Sequence, residues 1–208
     1  MKALEKRQYC HQCKRPIKMC ICGVIQSIHS SIQVAILQHP LEQKQAKGTA
    51  LLAHLCLPNS RLNVAETLSY DALCQWLDLQ SLENVFLLYP QTENFEGKVV
   101  NASPQLVLQA PDITLLVLDG TWRKTMKMLA INPVLQTLPR IQLTDLPVSN
   151  YSIRKQKSES SLATIEAIAA ALNHLEPNNL EVNRLHEVFS AFQAKLSQFM
   201  PPHQESKN

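Results

Sequence analysis

The sequence predicts an α/β domain, a mainly parallel sheet with helices on both faces. Three observations point there. Short, continuously apolar runs alternate with helix-patterned segments, two of those runs stop abruptly at proline, and the helical segments each carry a single apolar face. Strands that are apolar without alternation are buried on both sides, as in a parallel sheet covered twice.

Ser31 to His39 reads as the first strand and stops at Pro40, which cannot continue a central ladder. Residues 42 to 55 have helical composition and close at Leu57-Pro58, with Gly48 weakening the first turn. Leu62 to Leu68 is a weaker strand. Asp71 to Leu79 places Leu73, Trp76 and Leu77 on one helical face, and Asn84 to Tyr89 is an apolar strand ended by Pro90. Ile113 to Leu118 is the most strand-like run in the chain, and Thr121 to Ala130 is helical up to Asn132-Pro133. Arg140 to Thr144 is a short strand. Leu162, Ile165, Ile168, Ala169, Leu172 and Leu175 then share one face of a helix stopped by Pro177. A last amphipathic helix carries Leu185, Val188, Phe189, Phe192, Leu196 and Phe199.

The 208 residues suffice for one domain and a short appendage, with 45% hydrophobic and 18% charged residues and four glycines against twelve prolines. That composition excludes disordered, collagenous and repeat-built chains. The expected division is a cysteine-rich segment at 1–28, an α/β domain at 29–200 and a disordered tail at 201–208. No apolar run approaches the roughly 18 residues that span a bilayer, and the N-terminus lacks a signal-peptide core. The expectation is a cytoplasmic protein that meets no membrane and needs no obligate protein partner.

The net charge of +3 conceals an uneven distribution: residues 1 to 20 carry six Lys/Arg against one Glu, and residues 123 to 157 seven against one Asp. If the two segments meet, they make a phosphate-binding face; otherwise they are solvated surfaces.

In parallel sheets ligands bind beyond the carboxyl ends of the strands. Here those positions are His39-Pro40, Tyr89-Pro90 and Asp119-Gly120-Thr121-Trp122. Asp119 is the sharpest catalytic candidate; Gly120 permits close approach, Thr121 caps the next helix and Trp122 offers a stacking face. The competing reading makes Asp119 a helix cap and Trp122 a core residue. A second cluster runs from Ser149 to Glu166: Arg154 suits a bidentate anion clamp, and Ser160 or Ser161 opens a helix whose free N–H groups suit an anion. Glu166 either serves a ligand or stabilises that helix. His39 is as readily a hydrogen-bonded structural residue. Cys56, Cys74, His54 and Trp76 read as packing.

Cys10-x2-Cys13-x6-Cys20-x-Cys22 reads as a tetrahedral thiolate site for structural zinc, with an iron–sulfur cluster or metal-free thiols as alternatives. With four sulfurs bound, no position is left for an activated water.

Taken together, Cys10, Cys13, Pro16, Cys20 and Cys22, then QHP (38–40), LLYP (87–90), LDGTW (118–122), SNYSIRK and TIEA closely resemble the DTW-domain family from about Tyr9 to Leu175. The resemblance implies a tRNA-uridine aminocarboxypropyltransferase, moving the 3-amino-3-carboxypropyl group of S-adenosylmethionine to the imino nitrogen of a tRNA uridine. It also implies a SPOUT-like, knotted fold. On that resemblance Asp119 orients or deprotonates the uracil. His39, Tyr89, Pro90, Gly120, Thr121, Ser161, Thr164 and Glu166 would hold S-adenosylmethionine. Trp122, Arg123, Tyr151, Arg154 and Lys155 would hold the RNA, with Arg154 or the nearby helix N–H groups gripping the donor's carboxylate. The rival readings are a methyltransferase of the same fold and a non-enzymatic RNA-binding zinc knuckle.

Overall fold

A computed structural model describes residues 8–92, 95–110, 112–143 and 162–199. Ser161, Tyr151, Arg154, Lys155 and the expected tail at 201–208 lie outside the described residues.

Among the described residues six strands form one sheet: β1 (Gln33–Gln38), β2 (Ser60–Val64), β3 (Val85–Leu88), β4 (Val99–Asn101), β5 (Thr114–Asp119) and β6 (Arg140–Gln142). Their order is β2-β1-β5-β3-β6-β4, and every neighbouring pair is parallel. The helices are α1 (Ala50–Cys56), α2 (Tyr70–Leu77), α3 (Pro104–Gln109), α4 (Trp122–Ile131), α5 (Pro133–Thr137), α6 (Thr164–Leu175) and α7 (Arg184–Ser197).

Alternate strand residues enter two separate cores, as a sheet covered on both faces requires. Val34, Ile36, Leu115 and Val117 pack with residues of α1, α3, α6 and α7. Ala35, Leu37, Leu116 and Leu118 pack with Leu73 and Leu77 of α2, Met128 and Leu129 of α4 and Leu135 of α5. The cysteine-rich segment joins the first core through the fully buried Cys13 and Ile21. Among the described residues no helix is long and apolar enough to cross a membrane.

Several expected elements differ. The helix expected over 42–55 begins only at Ala50; a 3-10 turn at Pro40–Glu42 and irregular backbone precede it. The second strand is Ser60–Val64 rather than 62–68. Strand β4 and helices α3 and α5 were not legible: β4 is a three-residue edge strand, and α3 and α5 are short helices that each start at a proline. The helix expected to open at Ser160 or Ser161 starts at Thr164, behind Ala163.

Candidate active site and cysteine cluster

Strands β1 and β5 are neighbours, yet the helices that follow them, α1 and α4, pack on opposite faces of the sheet. The backbone therefore parts at their carboxyl ends, which is where such sheets receive ligands. A cleft of about 210 Å³ lies there, lined among others by Glu42, Lys47, Gly48, Asp119, Gly120, Thr121, Lys124 and Thr164.

Asp119 is the last residue of β5, in register with Gln38 of β1, and is only 6% exposed. Both carboxylate oxygens accept hydrogen bonds: Oδ2 from the Gln38 side-chain amide at 2.8 Å, and Oδ1 from the Thr164 hydroxyl at 2.5 Å. Three elements thus hold the carboxylate at the cleft. The N-cap position of α4 belongs to Thr121, whose side chain makes no capping bond. Position 120 is tight: a Cβ there would come within 3.2 Å of the Lys124 Cβ and 3.3 Å of the Thr125 methyl, so a larger residue needs those side chains to give by a few tenths of an ångström.

Trp122 does not fill the core. It is 57% exposed and lies parallel to the Tyr89 ring, 5.2 Å away at 9°. Tyr89 is buried, with its hydroxyl 3.4 Å from the Thr125 hydroxyl. Arg140 continues the stack, its guanidinium 5.4 Å from the Tyr89 ring and 3.6 Å from that of Phe95. The result is a ladder from buried Phe95 through a cation to an exposed indole.

Arg140 is one of the seven cations of the basic segment at 123–157, but it is only 3% exposed and donates to the Pro90 carbonyl and the Thr92 hydroxyl, both at 3.0 Å. Burial lowers its pKa. Two other cations of that segment are paired, Lys124 with Glu42 at 2.6 Å and Lys127 with Glu66 at 2.7 Å. Lys127 holds the Glu66 carboxyl below its usual range, with His39 adding to the effect. Arg123, Lys14 and Lys18 are exposed. The phosphate-facing charge is therefore smaller than the segment totals suggest.

Both His39 ring nitrogens are engaged: Nδ1 accepts the Leu41 N–H at 3.1 Å, and Nε2 is 3.3 Å from Glu66. Pro90 is exposed. Glu166 is buried and accepts the Ala163 N–H at 2.8 Å, and the Ile165 N–H donates to the Thr49 hydroxyl at 3.3 Å. Those two groups at the start of α6 are thus already bonded. Gln38, Glu42, Lys47 and Lys124 were missed; the end of β1 and the loop after it, which hold the first three, satisfied the same strand-end rule that singled out Asp119.

The four clustered cysteines place their sulfurs within 4.8 Å of one another, Cys10 to Cys22 at 3.5 Å and Cys13 to Cys20 at 3.7 Å. A tetrahedral ion with bonds of about 2.3 Å separates its sulfurs by about 3.8 Å, so the donors fit zinc. Backbone N–H groups of Cys13 and Gln12 lower the Cys10 thiol to about 6, whereas burial and then the Cys10 thiol raise Cys22 to about 12.

A family model described as the DTW domain matches residues 7–197. A Drosophila melanogaster protein named tRNA-uridine aminocarboxypropyltransferase 2 is 32% identical over 176 residues, covering 82% of this chain and 68% of its own. The Mus musculus protein of that name is 29% identical over 183 residues, covering 84% of this chain and 59% of its own, so the chain spans about three fifths of its length. An Arabidopsis thaliana protein named tRNA-uridine aminocarboxypropyltransferase A is 26% identical over 210 residues, covering 88% and 78%. No solved structure gives a significant match.

Proposed function

The chain belongs to the DTW-domain family, and we propose that it transfers the aminocarboxypropyl group of S-adenosylmethionine to the imino nitrogen of a tRNA uridine. The observation that carries this reading is Asp119, the aspartate of the D-x-T-W signature, held by Gln38 and Thr164 where β1 and β5 part.

A sulfonium has three activated carbons, and the one held in line with the nucleophile reacts. The cleft would fix the adenosine and amino-acid parts so that the γ-carbon faces the uracil. A carbon–nitrogen bond forms, the carbon–sulfur bond breaks, methylthioadenosine leaves and the imino proton departs. Asp119 would orient the imide and take that proton. Its two neutral donors support the orienting part of this role, since they hold the carboxylate in one rotamer.

The donor's carboxylate would go to Arg154 or to N–H groups at the start of α6, of which those of Ala163 and Ile165 are already used by Glu166 and Thr49. Ser161, Gly120, Thr121, Thr164, Tyr89, Pro90 and His39 complete the proposed donor surroundings. His39 would act there through the backbone that it pins. Trp122 and Tyr151 would hold the everted base, with Arg123 and Lys155 on neighbouring phosphates. Cys10, Cys13, Cys20 and Cys22 would hold zinc, which supplies folding energy to a short segment and leaves no open position for catalysis. A knotted, SPOUT-like crossover remains part of this proposal, as do RNA binding and a cytoplasmic location.

Incubating the purified chain with tRNA and S-adenosylmethionine and separating the nucleoside products by chromatography tests the reading. Methylthioadenosine is the expected product. S-adenosylhomocysteine would mean that the methyl carbon was attacked, and neither product would mean that the chain only binds.

A further inference from the structure

Arg15 lies between the second and third clustered cysteines, yet its guanidinium reaches out of the knuckle. One terminal nitrogen donates to the Ala46 carbonyl at 2.5 Å and the other to the Gly48 carbonyl at 3.2 Å. The same cation sits 5.1 Å from the Phe192 ring of α7. Ala46 and Gly48 bracket Lys47, and Gln45, Lys47, Gly48 and Thr49 form one wall of the cleft.

That wall has little support of its own. Between the 3-10 turn at Pro40–Glu42 and α1 its backbone forms only isolated turns, such as Gln45 N–H to Glu42 at 3.0 Å and Gly48 N–H to Gln45 at 2.9 Å. A loop of this kind takes its position from outside contacts, and a planar fork that grips two carbonyls two residues apart is well suited to the task. Arg15 is itself fixed from the cysteine side. The Cys10 N–H donates to the Arg15 carbonyl at 2.7 Å, the Lys14 N–H donates to the Cys10 carbonyl at 3.0 Å, and Cys13 is wholly buried.

We propose that Arg15 is a positioning residue through which the metal-holding knuckle sets the wall of the cleft. An ion that draws the four sulfurs together fixes the turn from which Arg15 extends, and Arg15 fixes Ala46 to Gly48. The metal then does more than staple the N-terminal segment, since its loss loosens one side of the ligand site. The consequence for donor binding rests on the aminocarboxypropyltransferase reading; the coupling of knuckle to loop does not.

Hydrogen–deuterium exchange on the full zinc-loaded chain reads the coupling without any ligand. In R15M, with zinc per chain unchanged, peptides covering 41–49 should exchange about tenfold faster or more, while β1 and β5 hold their rates. R15K, which keeps the charge but loses the fork, should fall between. Chelating the wild type should reproduce the R15M pattern and add nothing to R15M itself. Wild-type exchange at 41–49 in R15M overturns the proposal, as does loss of zinc from that variant, or acceleration on chelation that spreads to β5. Should both variants fail to fold, the chelated wild type decides by the same criteria. Calorimetry with S-adenosylmethionine then tests the consequence: a Kd about tenfold weaker in R15M supports it, and an unchanged Kd alongside a loosened loop overturns it. A wild-type chain that takes up no S-adenosylmethionine refutes the functional reading and leaves the exchange result to be judged alone.

Discussion

Replacing Trp122 by Leu separates substrate capture from everything else the site does. The indole is 57% exposed and stacks parallel on Tyr89 at 5.2 Å, which leaves more than half of its surface open to solvent. Losing that pair costs about 0.5–1.5 kcal/mol of stability, a few degrees of melting temperature for a chain of this size. Losing a base stacked on the outer face costs about 1–3 kcal/mol, which weakens tRNA capture about 5- to 150-fold. The Phe95–Arg140–Tyr89 ladder stays in place, and the cleft wall at Gln45–Thr49 is untouched. Steady-state kinetics with varied tRNA should therefore show a raised KM, while calorimetry shows S-adenosylmethionine binding as in the wild type. Equal weakening of tRNA and S-adenosylmethionine would refute the platform role, and so would a lowered melting temperature with neither affinity changed.

Gln38→Leu keeps the volume at the end of β1 but takes the 2.8 Å donor from Asp119, a bond to a charged group worth about 1.5–3 kcal/mol. Methylthioadenosine release should slow about 10- to 150-fold with little change in donor affinity; an undiminished kcat would contradict the orienting role. Phe192→Ala empties a wholly buried site against Phe189 and beneath Arg15, so urea unfolding should show a loss of about 3–5 kcal/mol. A loss under about 1 kcal/mol would mean that α7 is not part of the core. Burial pulls the pKa of His54 below 6.5, so its ring resists protonation when folded and accepts a proton when unfolded. Its contribution is complete above pH 6.5 and is lost as pH falls from there through the lowered folded value, by up to about 1.4 kcal/mol per pH unit. Stability against pH in His54→Gln should lack that part of the acid slope; superimposable profiles would refute it.

The parallel sheet was legible because its central strands are uniformly apolar, and strand pattern survives wherever both faces are buried. Asp119 was legible for a related reason, as a polar residue that ends the most apolar run in the chain. Gln38 was not, since a polar residue just ahead of His39-Pro40 looks like the mere end of a strand, and its role depends on β5 lying alongside. Residues 42–49 misled because Gln43, Lys44, Gln45, Ala46 and Lys47 have helical propensity. The outside contacts that oppose it, Arg15 and the Lys124 bond to Glu42, come from 31 and 82 residues away. Arg140 misled in the same way: its burial depends on Tyr89 and Phe95, which the sequence places far upstream. Periodicity records which face is apolar but carries no trace of such long-range polar contacts. The cysteine cluster was the reverse case, because short spacing alone brings four sulfurs within reach of one ion.

The most direct measurement is the mass of the uridine after reaction. tRNA treated with the pure chain and S-adenosylmethionine, digested to nucleosides and analysed by mass spectrometry, should contain uridine carrying one aminocarboxypropyl group, and an Asp119→Ala chain should form far less of it. A uridine heavier by a methyl group, or an unmodified one despite saturable donor binding, would contradict the account.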